Sequence, residues 1–191
     1  MATTIYAIGM HKESKGSNLP MFLLETRRRI FCAAYNNDKV LSTFLGRPPR
    51  LSKRHTDIKL PLDLSDPELT ADEAALDLSI RNLDADGWNT KGEYYRATWI
   101  RLRYISSGLR EEILDFALSK VDANVERQLL DISRRIHETW ETLPSHCRYW
   151  PTCWDDGLMT GDCLMLVVVY LSMYTPHTPL AMISPIIFSF P

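Results

Sequence analysis

His146, Cys147, Cys153 and Cys163 fall close together and carry the donor types that hold zinc, so any chemistry in this chain is first sought there. Their spacings match no common structural site, none forms a Cys-x-x-Cys pair, and Cys163 falls within an apolar run. Buried or incidental thiols are therefore the favoured reading. His137-Glu138 resembles the start of a zinc-protease helix, but position 141 is Glu141, so the second histidine is missing and no metal site is expected. Asp155-Asp156 and Glu111-Glu112 read as solvated pairs, because acid–base catalysis needs two carboxylates held across a cleft. The sequence contains no Gly-x-Gly-x-x-Gly, phosphate-binding loop or Gly-x-Ser-x-Gly elbow. No catalytic residue is assigned, and an enzyme is not expected.

A basic cluster offers a different chemistry. Arg27, Arg28 and Arg29 lie on one helical turn, and Arg47, Arg50, Lys53, Arg54 and His55 follow downstream. Phosphate binding is open to such residues. The nearby rings of Phe31, Tyr35 and Phe44 lie on an apolar face, however, and are not interleaved as stacking platforms. Consecutive helix residues point in three directions. One arginine can thus reach inward to a carboxylate such as Asp38 while its neighbours stay wet, and this structural role is preferred to DNA contact.

These residues must be positioned by helices. The apolar set Ile30, Phe31, Ala34, Tyr35, Leu41, Phe44 and Leu45 recurs at spacings of three and four, predicting a helix over Met21 to Leu45. Gly46 and Pro48-Pro49 stop it. Thr4 to Met10 reads as a preceding helix end, with a polar linker over His11 to Asn18. Arg47 to Leu64 reads as a loop. Asp66-Pro67-Glu68 offers an N-cap and a first-turn proline, and Thr70/Glu73 and Thr90/Glu93 have capping-box spacing. Trp99, Leu102, Ile105, Leu109, Ile113 and Phe116 mark one face of a long helix, with Ser106-Ser107-Gly108 as its expected bend. Asp122 to Leu143 is the clearest helix, its stripe formed by Val125, Leu129, Ile132, Ile136, Trp140 and Leu143. No segment alternates as a strand, so the expected fold class is all-α, a multi-helix bundle.

Composition agrees with a soluble domain: 45% hydrophobic and 24% charged residues is an ordinary globular balance. A formal net charge of -2 argues against a nucleic-acid surface over the whole chain, though not against a local patch. Four irregularly spaced cysteines and an N-terminus without a basic leader fit an intracellular compartment. Cys163 to Tyr174 is nearly all apolar, but a spanning helix needs about 20 such residues. Asp162 precedes the run, and Pro176, His177 and Pro179 keep it from continuing into the apolar stretch that follows, so a buried core helix is expected and no membrane contact.

The stretch Glu25-Thr-Arg-Arg-Arg-Ile-Phe-Cys-Ala-Ala-Tyr-Asn-Asn-Asp-Lys, then Leu41-Ser and Leu45-Gly-Arg-Pro-Pro, resembles the fungal-specific transcription factor domain. This is the middle homology, or xylanolytic-activator-type, regulatory region of zinc-cluster transcription factors. The family pattern E-x-RRR-x-F-W-x-x-Y-x-x-D, S-x-x-L-GRP and a loop ending in leucine-proline is matched through Leu60-Pro61 and Asp66. Ala7-Ile8-Gly9-Met10-His11 resembles the family's preceding helix end, and the match is looser from Asp86-Gly87-Trp88 to Pro144. The family tryptophan is Cys32 here, which suggests local repacking.

The resemblance implies structural roles for Glu25, Arg28, Arg29, Phe31, Tyr35, Asp38, Gly46, Arg47 and Pro48, with the charges tying the turn at Gly46 to the helix. It implies a partial regulatory domain over residues 1–179, an atypical apolar tail over 180–191, and a truncated or mispredicted gene product. It further implies a nuclear regulator whose partner is a small-molecule effector or a regulatory protein. No cofactor is expected in this chain. Zinc and DNA would be bound by a six-cysteine cluster upstream, which this sequence lacks. The alternative is a freestanding ligand- or partner-binding helical protein derived from such a factor.

Overall fold

The structure, a computed structural model, describes residues 1–14, 19–119, 125–155 and 160–174. Its helices are α1 (Ala2–Ala7), α2 (Met21–Leu45), α3 (Asp66–Leu69), α4 (Glu73–Arg81), α5 (Arg96–Leu118), α6 (Val125–Thr142) and α7 (Thr160–Tyr174). Short 3-10 turns lie at Lys53–His55 and Ser145–Cys147. Among the described residues there is no strand, only an isolated bridge between Leu83 and Asn89. The fold is all-α. Two compact units divide it: Met1–Asp38 with Arg50–Ser107, and Lys39–Pro49 with Gly108–Pro191. The tail over 180–191 lies outside the described residues.

In the first unit the apolar centre is Ile5, Met10, Phe31, Ala34, Tyr35 and Leu51, with Tyr6, Ile58 and Tyr104 packed against it. Tyr35 and Tyr104 have ring centroids 4.8 Å apart, within the range of favourable aromatic pairs. Helix α1 closes on Gly9, whose φ of +66° is left-handed, and the Met10 N–H donates to the Ile5 carbonyl at 3.0 Å. Closure on a glycine folds Met10 back beside Ile5.

The inward row of α2 differs from the predicted apolar face. Phe31, Ala34 and Tyr35 are buried, but Ile30, Leu41 and Leu45 are about half exposed and Phe44 is 82% exposed. The buried row runs instead through Glu25, Arg28, Phe31, Cys32, Tyr35, Asp38, Lys39 and Ser42, polar at both ends and apolar only in the middle. Apolar spacing alone misplaced its ends, because charges are buried there in ion pairs and bonds to loop groups; of these, the Glu25–Arg28 pair at i,i+3 is local to the helix.

Three caps also differ. Ser65, not Asp66, is the N-cap of α3: its hydroxyl accepts from the Glu68 N–H at 3.3 Å while the Glu68 carboxylate accepts from the Ser65 N–H at 2.9 Å. Thr70 ends α3, and Asp72 caps α4 by accepting from the Ala75 N–H at 2.9 Å. Thr90 donates to the Asn82 carbonyl, and Gly92 takes a left-handed φ of +72°, so no helix starts at Thr90. Helix α5 starts at Arg96 and runs through the buried Gly108 to Leu118.

In the second unit, α6 buries Ile132, Ile136 and Trp140, with Leu143 buried just beyond its end, and packs against α7. Trp140 meets the Tyr170 ring edge-on at 5.4 Å. Helix α7 is apolar on every side yet buries only one: Cys163, Leu166 and Val169 are enclosed, whereas Leu164, Val168 and Leu171 are about half exposed. The buried core helix expected from the sequence is thus buried on the side of Cys163, Leu166 and Val169. No described helix is long and apolar enough to cross a membrane.

Candidate functional site

The motif residues of α2 converge on a frame of ionic groups that bond loop backbone. Glu25 is fully buried. One of its oxygens accepts from Arg28 Nη1 at 2.5 Å and the other from the Leu62 N–H at 2.7 Å. The other side of the Arg28 guanidinium meets Glu13, with Nη2 at 2.5 Å and Nε at 3.1 Å. Glu13 in turn accepts the Lys59 N–H at 3.0 Å. Arg29 donates to Asp66 and to the Leu64 carbonyl, both at 2.7 Å, and Arg27 donates to the Gly9 carbonyl at 3.2 Å. All three arginines therefore grip loops on either side of α2.

None of these arginines uses Asp38 in the way the sequence suggested. The Asp38 carboxylate accepts the backbone N–H groups of Arg50 at 2.9 Å and Leu51 at 2.8 Å, pinning the chain where Leu51 enters the core. A side-chain acceptor is needed because an irregular loop leaves its N–H groups without helical partners.

A second cluster completes the frame and was not singled out from the sequence. Asp63, fully buried, accepts the Asn89 side-chain amide at 2.5 Å, the Asn89 N–H at 3.2 Å and the Thr98 hydroxyl at 2.6 Å. Arg101, 1% exposed, donates to the Pro61 carbonyl at 2.5 Å and the Asp86 carbonyl at 2.7 Å. Its guanidinium carbon lies 4.0 Å from the centre of the Trp88 ring, a cation–π distance. Gly87 has a φ of +80°, and a Cβ there would lie 3.2 Å from Leu62 and 3.4 Å from Arg101. Leu60-Pro61 and Asp86-Gly87-Trp88 were visible as motif positions, but Arg101, which bonds the Pro61 and Asp86 carbonyls, and Asp63 carried no local signal.

Burial and ionic or hydrogen-bonding partners compete to set the ionisation of the frame. Burial pushes the Glu25 carboxyl above its ordinary value, outweighing the Leu62 N–H and Arg28. Burial opposes ionisation of Glu13 too, but Arg28 and the Lys59 N–H overcome it and hold that carboxyl below the ordinary 4.5. Burial also pushes the Cys32 thiol up to about 12, so it is a protonated core group rather than a nucleophile.

Gly46, Arg47 and Pro48 belong to the second unit. Gly46 takes φ +57° and the Arg47 N–H closes the end of α2 on the Ser42 carbonyl at 3.2 Å. The Arg47 side chain and Pro48 are exposed, so backbone geometry, not an arginine ion pair, makes this turn. Lys39 and Glu111 form a buried pair at 3.5 Å. Cys147, Cys153 and Cys163 are all buried free thiols, and Cys163 donates to the Cys153 carbonyl at 3.3 Å. Among the described residues, no group of three or more His, Cys, Asp or Glu is placed to hold a metal ion. His137 and Glu138 are exposed on α6. An open groove of about 700 Å³ lies between the end of α5 and α6, with Phe116 and Ile132 beside Glu112, Arg127 and Arg135.

Among the described residues, the arrangement serves to hold loop backbone in place. Comparison with curated proteins and with solved structures gave no significant match. The family model of the fungal specific transcription factor domain matches residues 2–143, which takes in α1 to α6 and the whole ionic frame, so the chain belongs to that family.

Proposed function

We infer that this chain is the helical regulatory region of a nuclear zinc-cluster transcription factor and modulates transcription without doing chemistry. The observation that carries this reading is the family match over residues 2–143, whose motif residues serve here as scaffold. Zinc and DNA belong, in this reading, to another part of the parent protein. The region itself answers to a small-molecule effector or a regulatory protein. The groove between α5 and α6, with charged walls and two apolar side chains, supplies room for a small polar effector.

The test places the full chain between a heterologous DNA-binding domain and an activation domain in a fungal reporter strain. Reporter output is expected to fall relative to the same fusion without the chain, with the fusion in the nucleus. Unchanged output across growth conditions would overturn the regulatory reading. Strong output from the chain and DNA-binding domain alone would overturn it as well.

A further inference from the structure

The basic cluster read from the sequence as one feature is two. Arg27, Arg28 and Arg29 are engaged in the frame, while Arg50, Lys53, Arg54, His55 and Lys59 are all exposed. Lys12 is exposed too, next to His11, whose carbonyl accepts the Asp57 N–H at 3.3 Å. Asp57 is the sole acid between positions 50 and 59, and it accepts the Glu13 N–H at 2.7 Å. Arg50 and Arg54 make no side-chain hydrogen bond or ion pair among the described residues.

The loop backbone, by contrast, is fixed. Asp38 holds Arg50 and Leu51, the Ser52 hydroxyl accepts the Arg54 N–H at 3.2 Å, and Glu13 holds Lys59. These cations thus project from a fixed loop. The nature of the partner follows from what accompanies them. Leu51 is buried and Ile58 packs into the core, so the exposed loop offers no apolar centre for a protein interface. Phe31 and Tyr35 are fully buried and residues 50–59 include no Phe, Tyr or Trp, so His55 is the one exposed ring on the loop, too few for a run of stacked single-stranded bases. The N–H groups of Arg50, Leu51, Arg54 and Lys59 already have acceptors, so they cannot form a backbone cradle for one phosphate. Spaced side-chain cations suit the repeating phosphates of a duplex.

We propose that the Arg50–Lys59 loop, with Lys12 beside it, is a sequence-independent contact for the phosphate backbone of double-stranded nucleic acid. The contact goes beyond the regulatory reading, which leaves zinc-dependent, sequence-specific DNA binding to another part of the parent protein, and does not depend on it. Fluorescence anisotropy of the full chain with a mixed-sequence DNA duplex tests it. Binding at 50 mM salt is expected to weaken about 100-fold at 200 mM, as roughly four phosphate contacts require. Scrambling the duplex sequence should change nothing.

The triple variant Arg50→Gln/Lys53→Gln/Arg54→Gln should lower affinity at 50 mM salt by at least about tenfold and flatten the salt slope by about 3. A control with the same charge change away from the loop, Arg81→Gln/Arg134→Gln/Arg148→Gln, should stay within about twofold, since it touches no proposed contact. Both variants should keep the helical circular dichroism spectrum. Absence of binding at 50 mM salt, or equal loss in both variants, overturns the proposal. So does a polyglutamate peptide that binds more tightly than the duplex, which would identify a protein partner. A chain that fails here yet represses in the reporter leaves the regulatory reading standing.

Discussion

The two units are held together in opposite ways. In the first, charged groups are buried and face backbone: Glu25 holds Leu62, Asp38 holds Arg50 and Leu51, Asp63 holds Asn89, and Arg101 holds Pro61 and Asp86. Around α6 and α7 in the second, apolar side chains meet inside, while Arg134 bridges Asp131 and Glu138 at the surface. The difference follows from backbone. Residues 50–65 and 82–95 are mostly irregular chain whose N–H and C=O groups need outside partners, and buried side chains supply them. Helices α6 and α7 satisfy their own backbone, so an apolar stripe suffices.

The largest effects should come from removing one member of each kind. Asp63→Ala strips the acceptor from Asn89 and Thr98 in a buried site and is expected to cost about 4 kcal/mol. Ile136→Ala opens a cavity under α6 and should cost about 3 kcal/mol. Urea unfolding of the full chain separates them further. An asparagine in place of Asp63 keeps one carbonyl acceptor, so Asp63→Asn should recover part of the loss, whereas Ile136→Val should recover most. Equal rescue by both conservative changes would erase the distinction between the units.

How much of this was legible in the sequence follows the same division. The α6 stripe of Ile132, Ile136, Trp140 and Leu143 could be read directly, because each of these residues repeats at helical spacing and needs only an apolar neighbour. The all-α class, the stop at Gly46 and the extent of α2 followed from equally local signals. The frame did not. Glu13 stood in what looked like a polar linker, and Asp63 and Arg101 are 38 positions apart with nothing periodic between them. Their partners are backbone groups of loops, and a loop carbonyl leaves no mark on composition. Apart from the Glu25–Arg28 pair, the inward charges of α2 find their partners far along the chain, as Lys39 does in Glu111 and Asp38 in Arg50 and Leu51, which is why Leu41 and Phe44 were placed on the wrong face.

A smaller effect sharpens the comparison through glycine. Gly46 and Gly87 both take left-handed φ, +57° and +80°, but only Gly87 has side chains within 4 Å of where a Cβ would stand. Gly46→Ala should therefore cost about 1 kcal/mol, from backbone conformation alone. Gly87→Ala should cost about 2 kcal/mol, since Leu62 or Arg101 must shift as well. Thermal midpoints of the two variants would show whether the frame around Arg101 is as tight as its distances imply; identical shifts would mean that it yields freely.

The smallest expected effect is the most specific to the frame, because Glu13 and Glu25 share Arg28 and yet titrate in opposite directions. The folded state holds the Glu13 carboxyl below its ordinary 4.5, so its stabilising contribution is present above that pH and is lost as pH falls through the lowered folded value. Glu13→Gln should cost less than about 1 kcal/mol at neutral pH, and the gap from the unaltered chain should close on acidification. The folded state raises the Glu25 carboxyl, so its contribution is present below 4.5 and is lost as pH rises through the raised value. Glu25→Gln should therefore differ from the unaltered chain with the opposite pH slope. Denaturation of both variants between pH 3 and pH 7 measures the two slopes. Slopes of the same sign would mean that one influence, burial or the ion pair with Arg28, wins at both acids.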